Sequence, residues 1–305
     1  MKTALCLFLI YLTACVRVAP LPPENKDLSQ TLHSLADRFQ GRAGIYVHHF
    51  KKDITVSVNG DSLFPTASMI KVAIMTTLFD KIDSGLLDYD SLMVYEDSLR
   101  YPGADILGSF KSGEKIALGR LVMLMITTSD NTAALWNQSL AGGGSAVNNW
   151  LEKNGFRATR VNSRTPGRQK AWEKYGWGQS TPREMSRLLT MIRRRKAVSP
   201  AASDEMYRVL GNIYWNGAAL AQIPPWVGTA SKQGAVSDAR SEVVLVNAPS
   251  GDYVFCVMTR DQQDRGWSDD NEGVELIRHI SRILWNYFEP QHPWSPAAGS
   301  LRYGK

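Results

Sequence analysis

The sequence predicts an α/β chain of the α+β kind: a five-stranded antiparallel sheet, terminal helices flanking one of its faces, and an all-helical lobe. Three observations carry that expectation. Strand-like runs occupy residues 43–50 and 54–58, and three more occupy 226–232, 242–247 and 252–259. Between the two groups, residues 67 to about 209 are mostly apolar at helical spacing, interrupted by loops rich in Gly and polar residues. Amphipathic helical patterns stand at both ends, 28–39 and 272–288. Strands on either side of one helical insertion most simply share a sheet, and the terminal helices then cover one face of it.

The N-terminus is read first as a targeting segment. Lys2 supplies a positive charge, and residues 5–12 are a short apolar run. A membrane span needs about 20 apolar residues, so this run is too short to remain as an anchor. Leu12-Thr13-Ala14-Cys15 is similar to the lipobox of bacterial lipoproteins. On that reading residues 1–14 are a lipoprotein signal peptide and Cys15 is the first mature residue, carrying acyl chains. The alternative is a plain secretory peptide with an incidental Cys15. Residues 15–29, with Pro20, Pro22 and Pro23, form a tether. The domain proper is 30–288, divided into a sheet lobe (30–65 and 210–288) and a helical lobe (66–209). A cleft between the lobes is the expected place for a site. Residues 289–305 have three prolines and no periodicity, and are expected to be a disordered tail.

Composition narrows the class. The chain has 305 residues, 44% hydrophobic and 21% charged, which excludes a disordered, collagenous or disulfide-framework protein. The net charge of +6, from 35 basic and 29 acidic residues, is spread along the chain. That balance suits a cell-surface protein at least as well as a nucleic-acid binder. The sharpest run, residues 193–196, is read as the solvated end of a helix, and no basic stripe with interleaved aromatics accompanies it, so no nucleic-acid partner is expected. Of three cysteines, Cys6 and Cys15 belong to the leader, and Cys256 is expected to be a buried strand residue. His48 and His49 are adjacent on a strand and point to opposite faces, so no metal is expected.

Three short motifs carry chemistry. Ser68-Met69-Ile70-Lys71 opens a helix, placing Lys71 beside the Ser68 hydroxyl at i and i+3. A serine is a poor nucleophile until a base takes its proton, and a desolvated lysine is such a base. Alone the motif is weak, since a chain this long contains on the order of one Ser-x-x-Lys by chance. Ser129-Asp130-Asn131 follows an apolar helical run, and its plain reading is a capped helix terminus. Ser231-Lys232-Gln233-Gly234 stands at the end of the strand begun at Trp226, where a plain turn is the simplest reading.

In this order the three motifs resemble those of the penicillin-recognising serine hydrolases. Over about residues 30–288 the chain is similar to the class A β-lactamase family, including residues 121–133 and 180–185. The resemblance implies roles. Ser68 would be acylated, Lys71 would accept its proton, and Ser129 would relay a proton to the leaving nitrogen. Asn131 would hold the substrate amide, and Lys232 would attract the substrate carboxylate. The backbone N–H groups of Ser68 and Ala235 would form the oxyanion hole. Arg240 would reach the cleft as a second carboxylate partner.

Two departures qualify this. The third motif carries Gln233, beside Lys232 and Gly234, where the family has Thr or Ser. The loop between Thr159-Arg160 and Thr181-Pro182 lacks the family's catalytic glutamate; by spacing Thr165 stands there, and threonine is no general base at neutral pH. Glu173 is the one acidic residue of the loop, and its flanks do not match. Acylation is therefore expected to survive and deacylation to suffer. The expected protein is a β-lactamase-like serine hydrolase of the bacterial cell envelope, lipid-anchored, probing as a monomer a β-lactam or peptidoglycan-peptide substrate without a cofactor. A D-alanyl-D-alanine peptidase-like or acyl-trapping penicillin-binding lipoprotein, and a non-catalytic binding protein on the same fold, stay as alternatives.

Overall fold

The computed structural model describes residues 28–102 and 105–298. The expected signal peptide, Cys15 and nearly all of the expected tether lie outside the described residues. The first helix, α1 (Leu28–Arg38), buries Leu28, Leu32 and Ala36, one face at four-residue spacing. It leads into β1 (Arg42–His49) and β2 (Ile54–Val58). The last three long strands are β8 (Thr229–Val236), β9 (Ala239–Val246) and β10 (Tyr253–Arg260). Together they form a five-stranded antiparallel sheet in the order β2-β1-β10-β9-β8. The closing helix α9 (Glu272–Phe288) is capped by Asn271, whose side chain accepts from the Gly273 N–H.

Alternation across the sheet separates two apolar layers. Val244, Val246, Tyr253, Phe255 and Val257 face α1 and α9, meeting Leu32, Ile280 and Leu284. Val243, Leu245, Val254, Cys256 and Met258 face the inserted helices. β9 and β10 are buried on both faces, which is why they read as near-continuous apolar runs. Burying each such side chain contributes about 1.5–3 kcal/mol. Cys256 is one of them, its thiol pushed up by burial. His48 bonds Thr55 and His49 bonds Ser250, on opposite faces of β1.

The insertion holds α2 (Lys71–Asp83), α3 (Leu118–Met123), α4 (Asn131–Leu140), α5 (Gly143–Lys153), α6 (Gln169–Tyr175), α7 (Pro182–Arg193) and α8 (Pro200–Leu210). It also holds short strands. β3 (Phe64–Pro65), β6 (Arg160–Val161) and β7 (Gly178–Ser180) pair around β7, while β4 (Leu92–Val94) pairs with β5 (Lys115–Ala117). α7 packs on β1, β9 and β10, so helices cover both faces of the large sheet.

Two expectations need correction. The strand expected at 226–232 starts and ends later. Trp226 is exposed, and the Val227 N–H closes a turn onto the Pro224 carbonyl. Lys232 and its neighbours therefore lie mid-strand. Residues 289–298 are also not a disordered tail: the Trp285 indole donates to the His292 carbonyl at 2.8 Å, and Trp294 packs on the core. Proline content misled here, because aromatic burial outweighed it.

Candidate active site

Ser68 lies in a 3₁₀ turn, Ala67–Ile70, that runs straight into α2. The preceding residue, Ala67, is held at φ +43°, a left-handed conformation that costs a non-glycine residue on the order of 1–3 kcal/mol. The turn is pinned from outside, since the Thr66 N–H donates to the Gly178 carbonyl at 2.9 Å. Gly178 must be glycine: a Cβ there would lie 2.6 Å from Ile70 Cγ1 and 2.7 Å from Thr66 Oγ1.

The second motif is aimed by a backbone irregularity. Residues Leu124–Thr128 form a π-helical turn, and Ser129 follows at φ +62°. Widened turns of this kind cluster at functional sites because they re-aim the next side chain. Asp130 then caps α4, accepting from the Ala133 N–H at 2.7 Å and the Leu107 N–H at 2.9 Å. Asp105 adds a second cap, one carboxylate oxygen accepting from the Asn131 and Thr132 N–H groups, each at 2.9 Å. No sequence signal marked Asp105, which comes from a loop 25 or so residues upstream.

Lys71 joins these pieces. Its fully buried Nζ donates to the Ser129 carbonyl (2.6 Å), to Ser129 Oγ (3.1 Å) and to Asn131 Oδ1 (2.8 Å). Burial strips water from the ammonium and lowers its pKa to about 7; Asp105 and Asp130 pull in the other direction. Trp177 covers it, with Nζ 5.7 Å from the ring centroid.

β8 closes the site. A Cβ on Gly234 would stand 2.3 Å from the Thr66 carbonyl oxygen and 3.0 Å from the Ser68 nitrogen, so only glycine lets this strand approach the Ser68 backbone. Lys232 is buried, and burial together with the repulsion of Lys71 holds its pKa well below the ordinary lysine range. Its Nζ donates to the Gln233 carbonyl (3.1 Å) and to Gln233 Oε1 (3.3 Å). Behind the strand, buried Glu242 accepts from Ser231 Oγ (2.6 Å) and the Ala219 N–H (2.8 Å). Ser68, Asn131 and Ala235 line one cavity of about 530 Å³, which aromatic residues of the 160–177 loop close on the other side.

Comparison with known proteins identifies the family and the fold. The family model described as the β-lactamase enzyme family matches residues 27–288. The chain belongs to that family. It is 21% identical to β-lactamase VEB-1 of Pseudomonas aeruginosa, over 94% of this chain and 99% of the other. It is 24% identical to β-lactamase AER-1 of Aeromonas hydrophila, over 74% and 75%. Among solved structures, a mutant of PBP-A in an acyl-enzyme complex with penicillin G matches with a TM-score of 0.78 and 27% identity, covering 88% of this chain and 100% of that one. A β-lactamase from Sphaerobacter thermophilus matches in fold with a TM-score of 0.77 at 22% identity, covering 87% and 98%. The fold is β-lactamase/transpeptidase-like, and the chain is a hydrolase of the β-lactamase family.

Against that family frame the loop stands out. Thr165 Oγ1 donates to the Ser163 carbonyl at 2.9 Å and packs on Gly144, where a Cβ would come within 1.8 Å of it. Thr165 is not among the residues lining the cavity. Glu173 does line it, from α6, but is exposed and accepts from Gln169 at 3.1 Å. The loop is anchored by a carboxylate the motifs did not flag: Glu184 accepts from the backbone N–H groups of Arg157, Ala158 and Thr159 and from the Thr159 hydroxyl (2.6 Å).

Arg240 is corrected as well. Its guanidinium donates to the carbonyls of Val236, Ala239 and Gly266 and stacks on Trp267 at 4.7 Å. It is buried and absent from the cavity wall, because its guanidinium is captured by those carbonyls and the Trp267 ring instead of extending into the open space. The 193–196 run is paired as a solvated helix end would be: Arg193 with Asp252 and Arg195 with Asp204, while Arg194 stacks on Phe50.

Proposed function

We propose that this β-lactamase-family chain is a serine acyl-enzyme that forms an ester on Ser68 with a β-lactam or a related peptide amide, and releases it slowly. One observation carries the reading: the Lys71 amine, buried and lowered to about 7, reaches Ser129 Oγ and Asn131 Oδ1 one helical turn from Ser68. At neutral pH a large share of Lys71 is neutral and able to take the Ser68 proton. Ser68 Oγ attacks the carbonyl carbon, and the Ser68 and Ala235 N–H groups receive the oxyanion. The C–N bond then breaks, and the proton on Lys71 passes through Ser129 Oγ to the leaving nitrogen. Lys232 draws the substrate carboxylate toward Ser129.

Hydrolysis of the ester needs a second base aimed at water. Thr165 is turned into its own loop, and Glu173 is held by Gln169. Losing such a base slows a step by roughly 10²–10⁴-fold. The reading therefore favours acyl trapping or peptidase-like transfer over rapid β-lactam hydrolysis. We further propose that Cys15 carries a lipid holding the domain at a membrane of the bacterial envelope. A fluorescent penicillin should label the wild-type chain and leave Ser68→Ala unlabelled; equal labelling of both would refute the assignment.

A further inference from the structure

We infer that the acyl side of this pocket takes a donor whose distal end is zwitterionic, carrying an ammonium and a carboxylate close together; the inference rests on the acyl-transfer reading above. The cavity lies to one side of Ser68. Its wall includes Asn131 and Ala235 but not Ser129, Lys232 or Arg240. In the proposed reaction the first two hold the acyl group, and Ser129 and Lys232 serve the leaving side. The roughly 530 Å³ is therefore space for the acyl donor.

The far wall is charged in both signs. Asp238 stands in the β8–β9 turn, Arg260 ends β10 and Asp261 follows it. The Gln262 N–H donates to the Asp238 carbonyl at 3.1 Å, holding the two segments together. Arg260 lies over the Phe64 ring, 5.6 Å from its centroid, which fixes the guanidinium at low entropic cost. Its Nε is 3.8 Å from the Asp261 carboxylate, too far for a hydrogen bond, and that nitrogen is buried without a hydrogen-bond partner. The Asp261 side chain is 65% exposed. With Nε buried, it is the terminal edge of the Arg260 guanidinium that can meet a ligand: that edge suits a carboxylate, and the two aspartates suit an ammonium.

Length fits the same donor. Asp238 is three residues past Ala235, in the turn that closes the hairpin, so at no more than about 3.3 Å per residue it lies within roughly 10 Å of it. A spacer of a few methylenes spans that distance, and Tyr101, Trp172 and Trp177 give it an apolar wall. Glu173 and Lys174 also border the cavity, but from exposed α6, where Glu173 is bonded to Gln169 and Lys174 lies over Tyr175.

The test compares acylation rates of three penicillins that differ in side chain: isopenicillin N, whose aminoadipyl chain ends in an ammonium and a carboxylate, its N-acetyl derivative, and benzylpenicillin. Wild type should be acylated about tenfold faster by isopenicillin N than by benzylpenicillin, about 1.4 kcal/mol. N-acetylation should erase most of that ratio. Arg260→Ala, Arg260→Lys and the Asp238→Asn/Asp261→Asn pair should each bring it toward one, while Lys174→Ala should not. Adducts formed on Ser68 at equal rates with all three penicillins, or a ratio that survives in the Arg260 and aspartate variants, would overturn this inference alone. No adduct with any of them would overturn the acyl-transfer reading and this inference with it.

Discussion

Lys71 Nζ donates to the main-chain carbonyl of Ser129 at 2.6 Å, and so ties the start of α2, just after Ser68, to the strained residue that opens the second motif. One buried amine thus fixes two segments of the site and, in the proposed reaction, supplies the base. Because its pKa is lowered to about 7, acylation should rise with pH through about 7 and then level. Lys71→Ala should lose roughly 10²–10⁴-fold in acylation rate and the midpoint with it. The folded pKa lies below the usual 10.5, so the unfolded chain binds more protons between those values and stability should rise with pH there. Stopped-flow acylation and thermal melts across pH 6–10 check both.

Gly234 is held against the backbone of Thr66 and Ser68, with no room for a methyl group. Gly234→Ala should push the 66–68 segment away from β8 and cut acylation sharply, while far-UV circular dichroism stays native. An alanine variant with wild-type acylation would contradict the close approach.

Asp105 caps α4 through two backbone N–H groups, one of them on Asn131. Asp105→Ala should cost about 1 kcal/mol, as lost helix caps do. A melting temperature lower by about 2–4 °C is expected, together with slower acylation because Asn131 loses its anchor. Differential scanning calorimetry and labelling kinetics separate the two effects.

Gln233 competes for Lys232, whose Nζ donates to its amide oxygen at 3.3 Å. Gln233→Thr should free that ammonium and speed acylation by a carboxylate-bearing β-lactam by about tenfold, since a hydrogen bond to a charged group contributes about 1.5 kcal/mol or more. An esterified β-lactam should show no such gain.

The sheet was legible because β9 and β10 are dense in branched and aromatic residues, and the closing helix because its apolar face repeats cleanly. Lys71, Ser129 and Asn131 are hydrogen-bonded to one another and Ser68 shares a cavity wall with Asn131, as short motifs at fixed spacing allow. Other features had no such signal. Asp105 and Glu184 act by accepting backbone N–H groups from segments remote in sequence, which no local pattern encodes. Arg240 was misplaced because spacing along a strand does not say which carbonyls will capture a guanidinium. The C-terminal segment was misread because a single indole hydrogen bond and one packed Trp294 outweigh its proline content.

The most direct test of the central claim is a time course of intact-protein mass during incubation with benzylpenicillin, from seconds to hours, with Ser68→Ala alongside. The account predicts a single penicilloyl adduct that forms on wild type, maps to Ser68 and decays over a much longer time than it took to appear, and that Glu173→Gln does not prolong. No adduct on wild type, or the same adduct on Ser68→Ala, would contradict it.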